Sequence, residues 1–350
     1  MDWDKSMIVI ARRYGQLGNR LWLYAHMIAA AAEYGVTVAN PSFAEYADLF
    51  PSTRNDLWCR YPLVSESDPS PHQQSAPSRR TRDWLAQGVY LSAKTLYTLR
   101  LRNYPAHVLR IKGDQSYDVG SDAFREFATS GRPVMALGWQ FRSESLLAKH
   151  AAVVRHHFHL GPEHGEPVGE CLYQARQSSD VVIGIHIRQG DYATFLDGRY
   201  YYEVRDYVAT MREVQAQLAP RRVAFLVCTN VPYNESDFAG LNVQFGPGVA
   251  LQDMYALAET DMIIGPPSTF TMWASFYGGA PLAMMKRCDD KIEVESVAPE
   301  LFQSNPSSTK YQIVQGKLSE LSPSELADVF GFSQPSERFP SEAKSLKSNP

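Results

Sequence analysis

The stretch Val181-Val182-Ile183-Gly184-Ile185-His186-Ile187-Arg188-Gln189-Gly190-Asp191-Tyr192 decides the reading of this 350-residue chain. Its first half is a short apolar, β-branched run, the pattern of a strand buried in a parallel sheet. Polar residues then enter abruptly. His186 and Arg188 are two apart and leave the same face of the strand, and Gly190 stands where the chain has to turn. In open α/β sheets ligands bind in the crevice beyond the carboxyl ends of the strands. An Arg fixed at such an end offers a planar fork of donors suited to phosphate or carboxylate. The same residues also fit a plainer arrangement, in which Arg188 and Asp191 form an ion pair capping the strand and His186 is a satisfied core histidine.

Outward from this stretch, strand and helix signals alternate. A helix over about Tyr202 to Leu218 is followed by an apolar strand, Val223 to Val227. A further strand at Asn242 to Phe245 leads to a helix from Leu251 to Glu259, and Met262 to Gly265 is a short strand before another helix. This alternation predicts a doubly wound α/β domain. Ser268 and Thr269 begin the last of these helices, where their hydroxyls serve as caps and equally present donors to a phosphate. On the N-terminal side, Met7 to Arg13 reads as a strand, Gly15-Gln16-Leu17-Gly18-Asn19 as a turn, and Leu21 to Tyr34 as a helix. Backbone N–H groups at such a strand–turn–helix junction favour an anion, although the turn matches neither the Walker loop nor the three-glycine dinucleotide fingerprint. By itself the pattern favours a structural turn over a phosphate site.

The remaining segments are less marked. Pro51 to Arg80 is polar and proline-rich and predicts a long loop. Thr81 to Arg102 regains helical spacing with several basic residues, compatible with a solvated face or with contact to a membrane surface. Pro133 to Trp139 is another strand, leading to a helix through Leu146, Val153, Val154 and Phe158. His150, His156, His157 and His159 fall there without an acidic ligand placed beside them, so no metal site is expected. Gly161 to Gly169 is the linker candidate. A final helix through Leu326 and Phe330 and a disordered tail from Ser333 to Pro350 complete the chain.

Composition sets limits on function. Hydrophobic residues at 44% and charged residues at 21% are ordinary globular values. The net charge of -4 argues against a general nucleic-acid partner. Cys59, Cys171, Cys228 and Cys288 are far apart, lack metal-ligand spacing and read as reduced thiols of a cytoplasmic protein. No signal peptide or spanning segment is expected. Asp2-Trp3-Asp4 resembles the aspartate pair that holds a metal in some sugar transferases, but it precedes every strand and reads as a solvated tail.

Several of these segments resemble one family. His186-Ile187-Arg188-Gln189-Gly190-Asp191 is similar to the His-x-Arg-Arg-x-Asp motif of α-1,2-fucosyltransferases, shared more loosely by α-1,6- and protein O-fucosyltransferases. Gly15-Gln16-Leu17-Gly18-Asn19 resembles their Gly-x-x-Gly-Asn turn. Leu251-Gln252-Asp253-Met254-Tyr255 resembles the acidic helix start that helps bind guanine. Ser268-Thr269-Phe270-Thr271-Met272-Trp273-Ala274 is similar to a Ser-Ser-Phe-Ser-Trp-Trp-Ala segment, and Gly138 to Glu144 to a Gly-aromatic-Gln-Ser-Glu turn that is longer here. The matches lie in order from residue 8 to about residue 280, with the region 51–131 matching nothing in the family.

The resemblance implies an α/β fold of GT-B type, two Rossmann-like domains with a cleft between them. The domains would be 1–162 on the acceptor side, with a variable insert over about 51–131, and 170–332 holding the nucleotide sugar. It implies inverting transfer of L-fucose from GDP-fucose to a glycan, O2 of a terminal galactose, without a cofactor or required metal. Arg188 would meet the charge developing on the departing phosphate. Gly15 to Asn19, His186, Ser268, Thr269 and Phe270 would line the donor, and Asp253 would take the guanine donors, an arrangement adenine cannot satisfy. For the base, Asp191, Asp197 and Glu144 stay open, and Asp191 also serves to orient Arg188. Gln189 replaces the second motif Arg, Pro266-Pro267 replaces small polar residues, and Arg20 stands where Gln is common. A transferase using another GDP-sugar such as GDP-mannose, and a binding protein that has lost transfer, fit the same residues. The expected setting is the cytoplasm, with a peripheral membrane contact compatible with the basic helix.

Overall fold

The computed structural model describes residues 6–63, 76–113 and 115–302. Among these, residues up to His159 form one compact unit and those from Leu160 onward a second. Each is built on a five-stranded, mostly parallel sheet with helices, and each is therefore a Rossmann-type α/β unit.

In the first unit, β1 (Met7–Ile10), β2 (Thr37–Ala39), β3 (Arg60–Tyr61), β4 (His107–Arg110) and β6 (Val134–Leu137) run in the order β3-β2-β1-β6-β4. Only β3 is antiparallel to its neighbour. A separate parallel pair joins β5 (Tyr117–Asp118) and β7 (Phe141–Arg142). Helix α1 (Leu17–Tyr34) buries nearly its whole length from Leu21 to Ala31, which its alanine-rich sequence allows by close approach to the sheet. It ends at Gly35, whose φ of 66° is the left-handed conformation that costs a residue without Cβ nothing. The helices α2 (Pro51–Arg54), α3 (Arg79–Thr98), α4 (Asp122–Ala128), α5 (Glu144–Lys149) and α6 (Ala151–His157) complete this unit.

In the second unit, β8 (Val181–Ile187), β9 (Val223–Thr229), β10 (Val243–Phe245), β11 (Met262–Gly265) and β12 (Leu282–Met284) form a fully parallel sheet in the order β10-β9-β8-β11-β12. Every residue of β8 is buried, as its unbroken apolar run requires. Ile183, Ile185 and Ile187 pack on one face with Phe225, Val227 and Met211. Each such side chain contributes about 1.5–3 kcal/mol on leaving water. On the other face a Cβ at Gly184 would lie 2.7 Å from Leu257, so glycine lets the helix that carries Leu257 approach. The helices are α7 (Pro162–Gln177), α8 (Val204–Gln217), α9 (Ala250–Ala258), α10 (Thr269–Gly278) and α11 (Val294–Val297). From central β8 the chain goes to β9 and β10 on one side, then to β11 and β12 on the other. The strand order therefore reverses between β8 and β11, the place where such sheets hold ligands.

Three expectations need correction. Gly161 to Gly169 is not a linker but the first half of α7. Pro162 occupies the opening turn, where its missing N–H costs nothing. Pro167 inside the helix is offset by burial of Val168, Cys171, Leu172 and Ala175 along one face. The helix expected through Leu146 and Phe158 is two helices that break at His150, which caps α5 and opens α6. Pro51 to Arg80 is not loop throughout. Residues 51–63 hold α2 and β3, pinned by the buried Arg82 of α3 donating to the Thr53 and Asp56 carbonyls at 3.2 and 3.0 Å. The region 51–131 supplies β3, β4 and α3, so it is woven into the sheet. Asp2 to Asp4, the helix through Leu326 and Phe330, and the tail from Ser333 lie outside the described residues. Among the described residues, no helix is long and apolar enough to cross a membrane.

Candidate active site

The carboxyl end of β8 is built by its two neighbours. Parallel register puts His186 opposite Cys228 of β9, and Ile185 opposite Ile264 of β11. Gly265 follows Ile264, and a Cβ there would sit 3.0 Å from the His186 Cβ. His186 is 3% exposed and stacks flat on Phe270 at the start of α10, with ring centroids 4.6 Å apart. Among the described residues neither ring nitrogen has a hydrogen-bond partner of good geometry, so packing on Phe270 rather than a hydrogen bond holds the ring. Burial, and secondarily the charge of Arg188, push its pKa down to about 3, with a backbone group of Cys228 opposing weakly. The ring is thus neutral at physiological pH.

Arg188 follows β8, mostly buried along its side chain. Its Nη2 donates to Asp191 Oδ2 at 2.8 Å, and its guanidinium lies 5.3 Å over the Tyr192 ring. Tyr192 is held by its hydroxyl donating to the Pro267 carbonyl at 2.9 Å. The ion pair expected as an alternative is present. It is also a mount, because one Nη is engaged by a half-exposed carboxylate while the rest of the fork stays on the strand end. Gly190 takes a φ of 60°, which turns the chain there. Gln189, where the family motif has Arg, is buried and faces inward. Its Nε2 donates to the Tyr202 carbonyl at 2.9 Å, and its backbone N–H to Asn230 Oδ1 at 2.9 Å. It is an amide held by the protein's own groups.

Beside β11, Ser268 caps α10, its hydroxyl oxygen accepting from the Phe270 N–H at 3.1 Å. The same hydroxyl is hydrogen-bonded to the Tyr192 side chain, and Thr269 opens the helix next to it. Asp253 is the fourth residue of α9 and does not cap it, since Val249 holds the N-cap position. Its Oδ1 instead accepts from the Gly248 N–H at 2.9 Å in the preceding loop. At 5% exposure, burial raises its pKa from 3.8 to about 6, with the Gly248 hydrogen bond opposing. The carboxylate is held where desolvation penalises its charge and hydrogen-bond donors are few.

Sequence reasoning missed the residues that shape this corner. A Cβ at Gly246 would come within 2.6 Å of Asp253 Oδ1 and 2.7 Å of Cys228 Sγ. Glycine is therefore required for the carboxyl to sit where it does. Tyr233 stacks flat on Phe245, centroids 3.9 Å apart, and is 40% exposed. The signal was the Gly246-Pro247-Gly248 turn directly after β10.

The other expected residues belong to the first unit. Gly15 has a φ of 60° and Gln16 is the N-cap residue of α1, which begins at Leu17 and runs through Gly18 and Asn19. Arg20 is fixed by Gly15 and Glu45, its Nε donating to the Gly15 carbonyl at 3.1 Å and its Nη2 lying 3.0 Å from the carboxylate. Beyond the carboxyl end of β1 lies a cavity of about 680 Å³ lined by Arg12, Arg13, Ser42, Arg80, Trp84 and Tyr90, among others. Glu144 opens α5 with its carboxylate 3.8 Å from His26 Nε2. Asp197 lies in a turn with a φ of 56°. Among the described residues no cluster of three His, Cys, Asp or Glu side chains is placed to hold a metal, and all four cysteines are free thiols.

No protein-family model matches the chain, and no curated protein sequence does. Among solved structures, the chain is similar to Arabidopsis thaliana FUT1, a mutant in complex with GDP. The TM-score is 0.51 at 16% identity, over 79% of this chain and 70% of that one. It is also similar to the fucosyltransferase NodZ from Bradyrhizobium (TM-score 0.45, 18% identity, 80% and 95% covered) and to POFUT1 in complex with GDP-fucose (0.47, 10%, 81% and 98%). The likeness to FUT1 establishes the fold, which is GT-B-like.

Proposed function

We propose that this chain transfers L-fucose from GDP-fucose to a hydroxyl of a glycan, with inversion and O2 of a terminal galactose as acceptor. One observation carries the reading. A mounted cation, Arg188, and a buried carboxylate, Asp253, follow strands of the same parallel sheet at their carboxyl ends, one suited to a pyrophosphate and the other to a guanine edge. The guanine N1–H and 2-amino groups would donate to Asp253, with Tyr233 offering its ring to the purine. The pyrophosphate would lie against Arg188 and the Ser268-Thr269-Phe270 helix start, over the neutral ring of His186.

In the reaction the acceptor oxygen forms a bond to the fucose C1 while the bond from C1 to the β-phosphate oxygen breaks. Charge appears on the departing phosphate, and a preorganised guanidinium stabilises it without reorganising. The acceptor proton leaves to a carboxylate. Asp191 is engaged in orienting Arg188, which leaves Asp197 as the candidate within the second unit for that step. No metal is required on this reading, since a cation and helix N-termini occupy its electrostatic role.

An acceptor array developed with GDP-fucose, and in parallel with GDP-mannose, tests the reading. Transfer from GDP-fucose onto terminal galactose is expected. Transfer from GDP-mannose alone would assign the donor differently, and GDP-fucose binding without turnover on any acceptor would favour a protein that has kept the site and lost the reaction.

A further inference from the structure

Helix α3 has one face packed and the other bare. Arg82, Ala86 and Ala93 are its buried residues. At 100° per residue, Trp84 and Leu91 lie on the opposite side. Trp84 is 79% exposed, and Leu91, Leu99, Leu101 and Tyr104 are also exposed. Half of the ten exposed large hydrophobic residues among those described thus fall within this short segment. Soluble surfaces rarely gather apolar side chains in this way without a partner.

The charges around them are one-sided. The segment 76–113 contains eight Lys or Arg and a single acid, Asp83, in a chain whose net charge is -4. Asp83 is already engaged by Arg13. Arg80, Lys94 and Arg100 have no acidic partner among the described residues, and all three are exposed. Arg80 and Lys94 flank the Trp84–Leu91 stripe, and Arg100 stands between Leu99 and Leu101.

From this pairing we infer that the outer face of α3, with the turn through Tyr104, docks on an anionic lipid surface. The leucines enter the acyl boundary, Trp84 and Tyr104 sit at headgroup depth, and the uncompensated cations meet lipid phosphates. The inference does not depend on the donor or the reaction. An acidic glycan would satisfy the arginines but leaves Leu91, Leu99 and Leu101 without a role. A spanning segment is not needed for such contact, which lies in the plane of the interface.

The test is co-sedimentation of the full chain with vesicles of phosphatidylcholine alone and with about 30 mol% phosphatidylglycerol. Binding to the anionic vesicles is expected to be at least about tenfold stronger, and to weaken as salt rises from about 0.1 M to about 0.5 M. Replacing Arg80, Lys94 and Arg100 together by Gln is expected to weaken it by about 100-fold, taking about fivefold for each cation. L91S with L99S is expected to weaken it by about tenfold at unchanged charge. These side chains are exposed, so thermal melts of the variants report whether the fold is intact. Equal binding to both vesicles, or anionic binding unchanged in both sets of variants, overturns the inference. So does absence of vesicle binding together with a self-association that L91S abolishes, which would place a second copy on this face.

Discussion

Replacing Asp253 by Asn separates the two consequences of burying that carboxyl. Burial raises its pKa from 3.8 to about 6, which corresponds to about 3 kcal/mol of penalty on the charged form. Between these two values the folded protein binds more protons than the unfolded chain. Stability therefore falls as pH rises through that window, and the full penalty is present above about 6. A ligand donating two hydrogen bonds relieves it, so only the ionised form should bind guanine well. The carboxyl is roughly nine-tenths ionised at about pH 7 and one-tenth ionised at about pH 5. GDP-fucose affinity should then fall by about tenfold between those two pH values, with proton release on binding in the acid range. GDP-fucose is the right probe because both phosphates are diesters and do not titrate there, and His186, with a pKa of about 3, stays neutral. Calorimetry in buffers of different ionisation enthalpy reads both quantities. Asp253→Asn should weaken binding by roughly 10- to 100-fold, lose the pH dependence, and stabilise the unliganded protein at neutral pH by on the order of 1 kcal/mol. His164→Gln is the control, since His164 lies 3.3 Å from the side chain of Gln252. An affinity that is flat with pH, or a pH dependence that survives in Asp253→Asn, would refute this reasoning.

Arg188→Ala should lower turnover by on the order of 10²–10³ while leaving the fold intact, because its ion pair with half-exposed Asp191 contributes at most about 1 kcal/mol. Lys should rescue poorly, and retention of a tenth of wild-type turnover in the Ala variant would contradict the role. Gln189→Ala leaves the Tyr202 carbonyl without its donor and should cost about 1–3 kcal/mol of stability, seen as a lower melting temperature. GDP-fucose affinity should change little; a large loss of affinity at unchanged stability would mean that this amide faces the ligand. Turnover should persist in excess EDTA, and a complete loss restored by Mn²⁺ or Mg²⁺ would reveal an acidic site outside this account.

Much of the second unit was legible because its strands carry their signal locally. The β-branched run at β8 and the four-residue β11 follow from apolar continuity alone. Helix α7 shows where local signals mislead. Its second half, Cys171 to Gln177, reads as helix in the sequence, but Pro162, Gly165, Pro167 and Gly169 obscured the first half, and only packing resolves such a conflict. The first unit hid more. Strand β4 has only Val108 and Leu109 between His107 and Arg110, and the segment 51–63 depends on Arg82, far along the chain. Arg188, His186 and Ser268 were singled out as candidates by residue type and position, and Asp253 by the resemblance of its helix start. Gly246 and the inward turn of Gln189 were not, because their roles exist only through contacts with Asp253, Cys228 and Tyr202.

The central claim is that the second unit holds a guanine nucleotide sugar at Arg188 and Asp253. Calorimetric titration of the full chain with GDP-fucose, and in parallel with ADP-glucose, tests it most directly. One GDP-fucose site is predicted, with ADP-glucose weaker by at least about 100-fold, because adenine cannot give Asp253 its two donors. Equal affinity for the two nucleotide sugars, or no binding of GDP-fucose to folded protein at neutral pH, would contradict it.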